Sequence, residues 1–230
     1  MNEYLNRINN ESQAIFKESL KEEEQFTNAH RMSACIFEFA QLLTETNEKK
    51  MLITTSEHLE AASMNLALGF YRQAFASLKL ALEVGLGAVY FSVYKMEDYE
   101  WQNGIADVQW QKVIDKETGI LSKRFATAFY PEMENAVKKY HESTTALYSQ
   151  LSAYVHGNTG KWDWEFNGIF LRYNATLAKT YFELSASVTE TILFVLFSRY
   201  IRSFSEDRSD LIPAEIYQIP TIHSVLTGEE

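Results

Sequence analysis

The chain has 230 residues, of which 46% are hydrophobic and 14% aromatic, which is enough apolar material for a sizeable core and argues against disorder. Its formal charge is −10, and an acidic surface repels phosphate backbones, which excludes a general role in coating nucleic acid. Three prolines and nine glycines are few breakers for this length, so the composition favours long helices over many short strands.

The cysteine content and the apolar windows bear on the cellular compartment. The single cysteine, Cys35, excludes an intramolecular disulfide and makes a cysteine-type zinc site implausible, and we predict a buried structural thiol there. The N-terminal residues lack the basic start and apolar run of a secretory signal, and the most apolar window, 192–197, is far shorter than the ~20 residues that span a bilayer. We therefore expect a cytoplasmic protein with no membrane partner.

The first 49 residues predict an N-terminal helical arm that packs on a core. Residues 2–26 are polar with sparse apolar positions, a pattern typical of an exposed amphipathic helix. Asn28 is a predicted cap for a second helix, in which apolar residues recur at spacings of three and four.

The helical spacing of apolar residues is more regular over residues 50–204, where we predict the helical bundle itself. Gly69 breaks the pattern, and apolar residues after it follow the alternating four–three spacing of a packed helix. A row of alanines spaced by seven would let a second helix approach closely, either within the chain or across a dimer interface. These alanines are Ala67, Ala74, Ala81 and Ala88.

The remaining elements follow from breakers and spacing. Residues 97–130 predict a connection with short helices, and Pro131 suits the first turn of a helix that ends near Gly157. A loop with Trp162 and Trp164, a short strand within 166–173 and a long helix over 174–203 are expected next.

Residues 205–230 predict an extended C-terminal tail that packs as an arm through Ile216, Ile219 and Val225. The expected fold is thus one all-α helical bundle with extended N- and C-terminal arms.

No standard cofactor motif is present in the sequence. Phosphate-binding glycine loops, nucleophile elbows and HExxH are all missing, so we expect no cofactor. His141 and His156 lie on one predicted helix, and fifteen residues separate them by about 22 Å. They cannot share an ion within one chain, and we expect no metal.

His156 at the end of its helix is the candidate for chemistry. Helical periodicity places His141, Thr145, Ser149, Ser152 and His156 on one face, away from the apolar stripe. A helix C-terminus favours the histidine cation, which suits a general acid or a phosphate partner. The same position equally suits a side chain that caps a carbonyl. Spacing alone favours this capping or packing role.

Two stretches carry a resemblance to a known family. GFYRQAFASLKLALE, from Gly69 to Glu83, resembles the early helix of HEPN-type domains, which are small helical bundles of prokaryotic defence and toxin–antitoxin systems. LSAYVHG, from Leu151 to Gly157, resembles their histidine-bearing helix, and the resemblance spans roughly residues 50–200. It implies metal-independent ribonuclease chemistry, in which the histidine works with an arginine that precedes it with four to six residues between them. It also implies a dimer that joins two such pairs across a cleft.

The chain departs from this family pattern at the arginine. The corresponding positions hold Ser149, Gln150 and Leu151, so no guanidinium there stabilises the charge that develops on phosphate during cleavage. Gln150 supplies one neutral hydrogen bond. Candidate replacement cations or phosphate ligands are Arg72, Lys79 and Arg172.

Three hypotheses follow, in order of preference. The first is a catalytically degenerate HEPN-like component, a homodimer that associates with RNA or with a protein partner encoded nearby. The second is an active endoribonuclease in which His156 is the general acid or base, Gln150 or Ser149 orients phosphate, and a cation comes from another helix. The third is a purely structural scaffold or antitoxin-like partner, whose acidic surface masks a basic protein.

Overall fold

The protein folds almost entirely as α-helices. The structure is a computed structural model that describes residues 1–44, 46–156, 171, 173–204 and 211–228. The helices are α1 (Asn2–Ser19), α2 (Glu23–Leu42), α3 (Asn47–Ala67), α4 (Tyr71–Val93), α5 (Lys95–Gln102), α6 (Trp110–Val113), α7 (Lys123–Phe129), α8 (Glu134–His156), α9 (Ala175–Tyr200), α10 (Ala214–Tyr217) and α11 (Pro220–Thr227). No strand occurs within these ranges, and the predicted all-α bundle is confirmed.

Helix α4 forms the centre of the bundle, and it packs against α3, α8 and α9. The window Ile192–Phe197 in α9 is completely buried, as predicted for the middle of a core helix. Both α4 and the span Ala175–Ser203 are long and apolar enough to cross a membrane by length and composition, but 67% of each apolar window is buried inside the fold. That burial is what the core helices of a bundle show.

Small residues allow the helices to approach α4 closely. A Cβ atom added to Gly85 would lie 2.9 Å from Cδ1 of Ile192 in α9 and 3.1 Å from Cγ2 of Thr55 in α3. The alanine row predicted from the spacing of seven is buried within the single chain. Packing within the chain, rather than across a dimer interface, therefore accounts for this row of alanines.

Gly69 makes the break between α3 and α4, as predicted. Its φ angle of +85° lies in the left-handed region that favours glycine, and the N–H of Phe70 donates to the carbonyl of Asn65 to close the end of α3. Helix α1 packs on this corner, where Oγ of Ser12 donates to the carbonyl of Leu68 at 2.9 Å.

Helix α2 begins earlier than the sequence predicts. It starts at Glu23, and the predicted cap Asn28 lies inside it. The run of glutamates at 22–24 is exposed or half-buried and consists of good helix formers, so the helix extends through it.

The C-terminal tail differs from the predicted extended conformation. It contains α10 and α11, and Pro220 occupies the first turn of α11, where its missing N–H costs nothing. Ile216 and Ile219 are buried as predicted, and Ile222 is buried with them. Cys35 in α2 is also buried, which confirms the predicted structural thiol.

Candidate functional site

The register of the core helices decides which predicted residues meet. Phe75 of α4 stacks on Tyr154 of α8 with ring centroids 4.0 Å apart, and Lys79 of α4 lies 4.8 Å from the ring centroid of Tyr148. Residue numbers thus rise along α4 as they fall along α8, so the two helices run antiparallel. The end of α8 and the beginning of α4 lie at the same end of the bundle.

Helix α9 begins at this end too. The backbone N–H of Asn174, the N-cap of α9, donates to Oη of Tyr71 at 2.7 Å. At the other end of the pair, Nε of Arg199 donates to Oγ of Ser92 at 2.9 Å, so α9 runs parallel to α4. We call the meeting point of residues 71–75, 154–156 and 173–174 the His156 end.

His156 is the last residue of α8 and is exposed. Ser149 is exposed two turns earlier and, by helical periodicity, about 20° away on the same face. Arg72 is exposed in the first turn of α4, at the His156 end.

Some predicted features lie outside the described residues. These are Arg172, Gly157, the two tryptophans Trp162 and Trp164, and most of the strand expected within 166–173.

Gln150 lies on a different side of α8. At 3.6 residues per turn it is about 120° around the helix from His156. It lines a cavity of 340 Å³ between α8 and α9, together with Leu184 and Glu190. In this cavity region Oη of Tyr140 donates to Oε1 of Glu190 at 2.7 Å. The structure therefore does not bring Gln150 together with His156.

Lys79 is held by a cluster that the sequence analysis did not identify. Its Nζ lies 3.0 Å from Oε1 of Glu83, and Oη of Tyr148 donates to the same oxygen at 3.0 Å. Trp110 stacks on Tyr148 with ring centroids 4.0 Å apart. The spacing of four between Lys79 and Glu83 is a signal of a helical ion pair that the sequence does contain.

The environment of Lys79 keeps it charged. Burial of the side chain, only 14% exposed, lowers the pKa of Lys79, but the hydrogen bond and the charge of Glu83 outweigh burial and raise the pKa above its ordinary value. Lys79 is level with Tyr148, eight residues and so about 12 Å along the α8 axis from His156. The charge of Lys79 is therefore paired with Glu83 and lies away from His156.

His141 shares the face of His156 but has a structural partner. Its Nε2 lies 2.8 Å from the carbonyl oxygen of Ile114, which can only accept, so Nε2 carries the hydrogen. The bond ties α8 to the segment after α6. Among the described residues, no group of three or more His, Cys, Asp or Glu side chains could hold a metal ion.

No protein-family model, curated protein or solved structure matches this chain. Of the predicted set, Arg72 lies at the His156 end and Ser149 lies on the His156 face of α8, whereas Gln150 lies on another side of α8 and Lys79 is paired with Glu83.

Proposed function

We propose that this chain is a catalytically degenerate HEPN-like binding protein, which acts by associating with a partner in a prokaryotic defence or toxin–antitoxin system. The observation that carries the proposal is the separation of the predicted catalytic groups. Gln150 lies about 120° around α8 from His156, and Lys79 is held by Glu83 about 12 Å along the helix.

Phosphodiester cleavage needs positive charge at the phosphate when the transition state forms. Each hydrogen-bond donor that stabilises the charge of the transition state commonly raises the rate by a factor of about 10²–10³. A histidine without a guanidinium on the same face loses this contribution. Binding, by contrast, needs only an exposed surface of the right shape and charge.

A protein partner is favoured over RNA by the charges. The net charge of the chain is −10, and many Lys and Arg side chains in the described residues form ion pairs with carboxylates. These pairs include Lys79–Glu83, Lys95–Glu48, Lys123–Glu134 and Arg202–Glu132. Paired cations gain little from phosphate, so an RNA backbone finds weak attraction here. A basic protein surface would gain from the unpaired acidic residues.

The first test is cleavage of total RNA and of a labelled single strand in EDTA, with wild-type and His156→Ala protein side by side. We expect neither protein to cut, at concentrations where circular dichroism shows both to be folded. Cutting by wild type that is lost in His156→Ala would contradict the proposal. Light scattering on the same samples tests the homodimer that forms part of it.

A gain-of-function variant makes the same test sharper. Ser149→Arg places a guanidinium on the face of His156, whereas Gln150→Arg adds the same charge on the cavity side. If only the cation is missing, Ser149→Arg gains cleavage that a further His156→Ala change removes, and Gln150→Arg gains none. Equal activity in both arginine variants would contradict the assignment of faces.

The second candidate function is a metal-independent endoribonuclease that takes its cation from Arg72. The supporting observation is that α4 begins where α8 ends, so Arg72 and His156 share the His156 end. This candidate requires wild-type cleavage in EDTA, lost in both Arg72→Gln and His156→Ala. Retained cleavage in Arg72→Gln would exclude it.

A further inference from the structure

A row of exposed apolar side chains lies on the outer face of α5 and the loop that follows it. Met96 is 72% exposed, Tyr99 is 66% exposed and Ile105 is 70% exposed. Met96 and Tyr99 are three residues apart in α5, so they are neighbours on one face of the helix. Exposed apolar side chains are ordinary when they are scattered singly, but a contiguous group marks a surface that another molecule covers.

The end of α5 brings Ile105 into the same row. The backbone N–H of Ile105 donates to the carbonyl of Glu100 at 2.9 Å, which is the longer-range bond of a Schellman helix end. In this arrangement the residue after the turn lies beside the last turn of the helix, which places Ile105 beside Glu100 and Tyr99. Met96, Tyr99 and Ile105 therefore form one continuous surface, which we call the α5 surface.

The inner face of α5 holds this surface in place. Asp98 is only 6% exposed and accepts hydrogen bonds from Nδ2 of Asn47 at 2.6 Å and from Nε2 of Gln102 at 3.0 Å. Trp101 packs on Phe91 of α4, with ring centroids 5.6 Å apart. The helix is thus fixed before a partner arrives, so its outer face loses little conformational entropy on binding.

The charges around the α5 surface are negative. Helix α5 and the loop through Asp107 contain one lysine and four acidic residues. The lysine, Lys95, is bound by Glu48 of α3. Glu100 follows Met96 by four residues and so lies on the same face of α5. Glu100 and Asp107 form no ion pair with any residue that the structure describes, so both carboxylates are open to a partner.

Two cations further along the chain flank a different side of α5. Lys112 and Arg124 share an open depression with Glu97. Glu97 is about 160° around the helix from Tyr99. These cations therefore do not belong to the α5 surface.

Apolar contact combined with negative charge distinguishes the molecules that can cover such a surface. A second copy of this chain would bring the same carboxylates and a net charge of −10 against them. An anionic lipid surface and a nucleic acid would each be repelled. A basic protein segment gains both from the apolar contact and from the carboxylates.

We propose that the α5 surface binds a basic segment of a protein partner. Apolar side chains of that segment pack on Met96, Tyr99 and Ile105, and its lysine or arginine side chains pair with Glu100 and Asp107. The inference rests on the binding role proposed above, and it adds the place and the chemistry of the contact.

Fluorescence anisotropy with three synthetic peptides tests the proposal on the full chain. The first peptide carries lysine and leucine in a helical four–three pattern, the second replaces its lysines with glutamates, and the third replaces its leucines with serines. We expect the first to bind with a Kd of about 100 µM or tighter, and the other two to bind at least about tenfold more weakly, because each lacks one half of the match. No binding of the first peptide at about 1 mM, or equal binding of either of the others, would overturn the proposal.

Variants with matched controls locate the contact. Tyr99→Ala and Ile105→Ala should each weaken binding of the first peptide about tenfold, because each removes an apolar anchor. Tyr4→Ala in α1, where the tyrosine is 46% exposed, should leave binding unchanged. Glu100→Gln should weaken binding about two- to fivefold, whereas Glu57→Gln on the exposed side of α3 should not. Equal losses in the controls, with all variants folded by circular dichroism, would overturn the assignment.

The other possible occupants are measured with wild type and Tyr99→Ala side by side. Light scattering follows self-association, sedimentation with phosphatidylserine vesicles follows lipid binding, and anisotropy with a labelled strand follows RNA binding. We expect none of the three to differ between the two proteins. Self-association, vesicle binding or RNA binding that Tyr99→Ala abolishes would assign the surface to that occupant and overturn the proposal.

This inference and the proposed function fail separately. The α5 surface lies beyond the last turn of α4, whereas the His156 end lies at its first turn, about 33 Å away along the 23 residues of that helix. RNA cleavage by the wild type would contradict the proposed function without changing the peptide titration. A titration without binding would overturn the α5 surface and leave the cleavage assay unaffected.

Discussion

Glu48 is a carboxylate whose ionisation is tied to folding. It is 5% exposed at the start of α3 and is bound by Lys95, which also lies 3.7 Å from Asp98. Burial raises the pKa of Glu48, but the hydrogen bond from Lys95, with further ones from the backbone and Thr46, outweighs burial and lowers the pKa below its ordinary value. The ionised form is therefore stabilised by the native structure.

The sign of the pH effect follows from this lowered pKa. Because the folded pKa is below the unfolded one, the stabilisation is fully present above the unfolded pKa and is lost as pH falls through the folded pKa. We expect Glu48→Gln to lower the free energy of unfolding at pH 7 and to matter less at pH 3, measured by urea unfolding. The exposed Glu57→Gln on the same helix is the control. A pH-independent difference for Glu48→Gln would contradict the linkage.

At the scale of elements, the crossing at Gly85 sets how closely α3 and α9 approach α4. Gly85→Val adds three carbons where a single Cβ would already lie 2.9 Å from Ile192. We expect a loss of about 1–3 kcal/mol in unfolding free energy from overpacking, measured by thermal or urea unfolding. Ala61→Val, at an exposed position of α3, carries the β-branch without the crowding and should cost only about 0.5 kcal/mol. Equal losses in the two variants would show that the crossing is not tightly packed.

Periodicity in the sequence predicts these elements well where burial is one-sided or complete. The four–three stripes of α4 and α8, the break at Gly69 and the buried window in α9 all follow from spacing, because the core imposes that spacing. The predicted start of α2 was wrong, because the first residues of this helix are polar and exposed and so carry no apolar pattern that marks where it begins.

The candidate site was predictable only in part. Periodicity of 100° per residue puts Ser149 with His156 and also separates Gln150 from them, so that separation is contained in the sequence. The contact of Lys79 with Tyr148 is not, since it depends on the register of two helices that are far apart in the chain.

At the scale of the whole molecule, the C-terminal tail is part of the core. The sequence predicts an extended arm here, but Pro220 starts a helix and tertiary burial decides the conformation. Ile216 and Ile222 are completely buried, and α10 packs against α2 and α9.

A substitution in the tail tests this integration. We expect Ile222→Ala to lower the free energy of unfolding of the whole chain by about 2–5 kcal/mol, because it leaves a cavity in the shared core. Leu226→Ala, on the same helix but 46% exposed, should change it by less than about 0.5 kcal/mol. Rapid proteolysis of the tail in Ile222→Ala, with the bundle's urea midpoint unchanged, would show instead that the tail unfolds alone.

The buried thiol of Cys35, which lies near Glu215 of the C-terminal tail, provides a chemical probe of opening in this part of the core. Its thiol is buried in α2, and burial together with the charges of Glu215 in α10 and Glu38 raises the pKa of Cys35 to about 12. The thiolate, not the thiol, is the nucleophile that attacks disulfide reagents, so the native protein resists labelling. Because the sequence has one cysteine, every labelled molecule is one in which the surroundings of Cys35 have opened. The labelling rate by a colorimetric disulfide reagent thus reports how often Cys35 becomes exposed, through local or global opening, without mutation or denaturant.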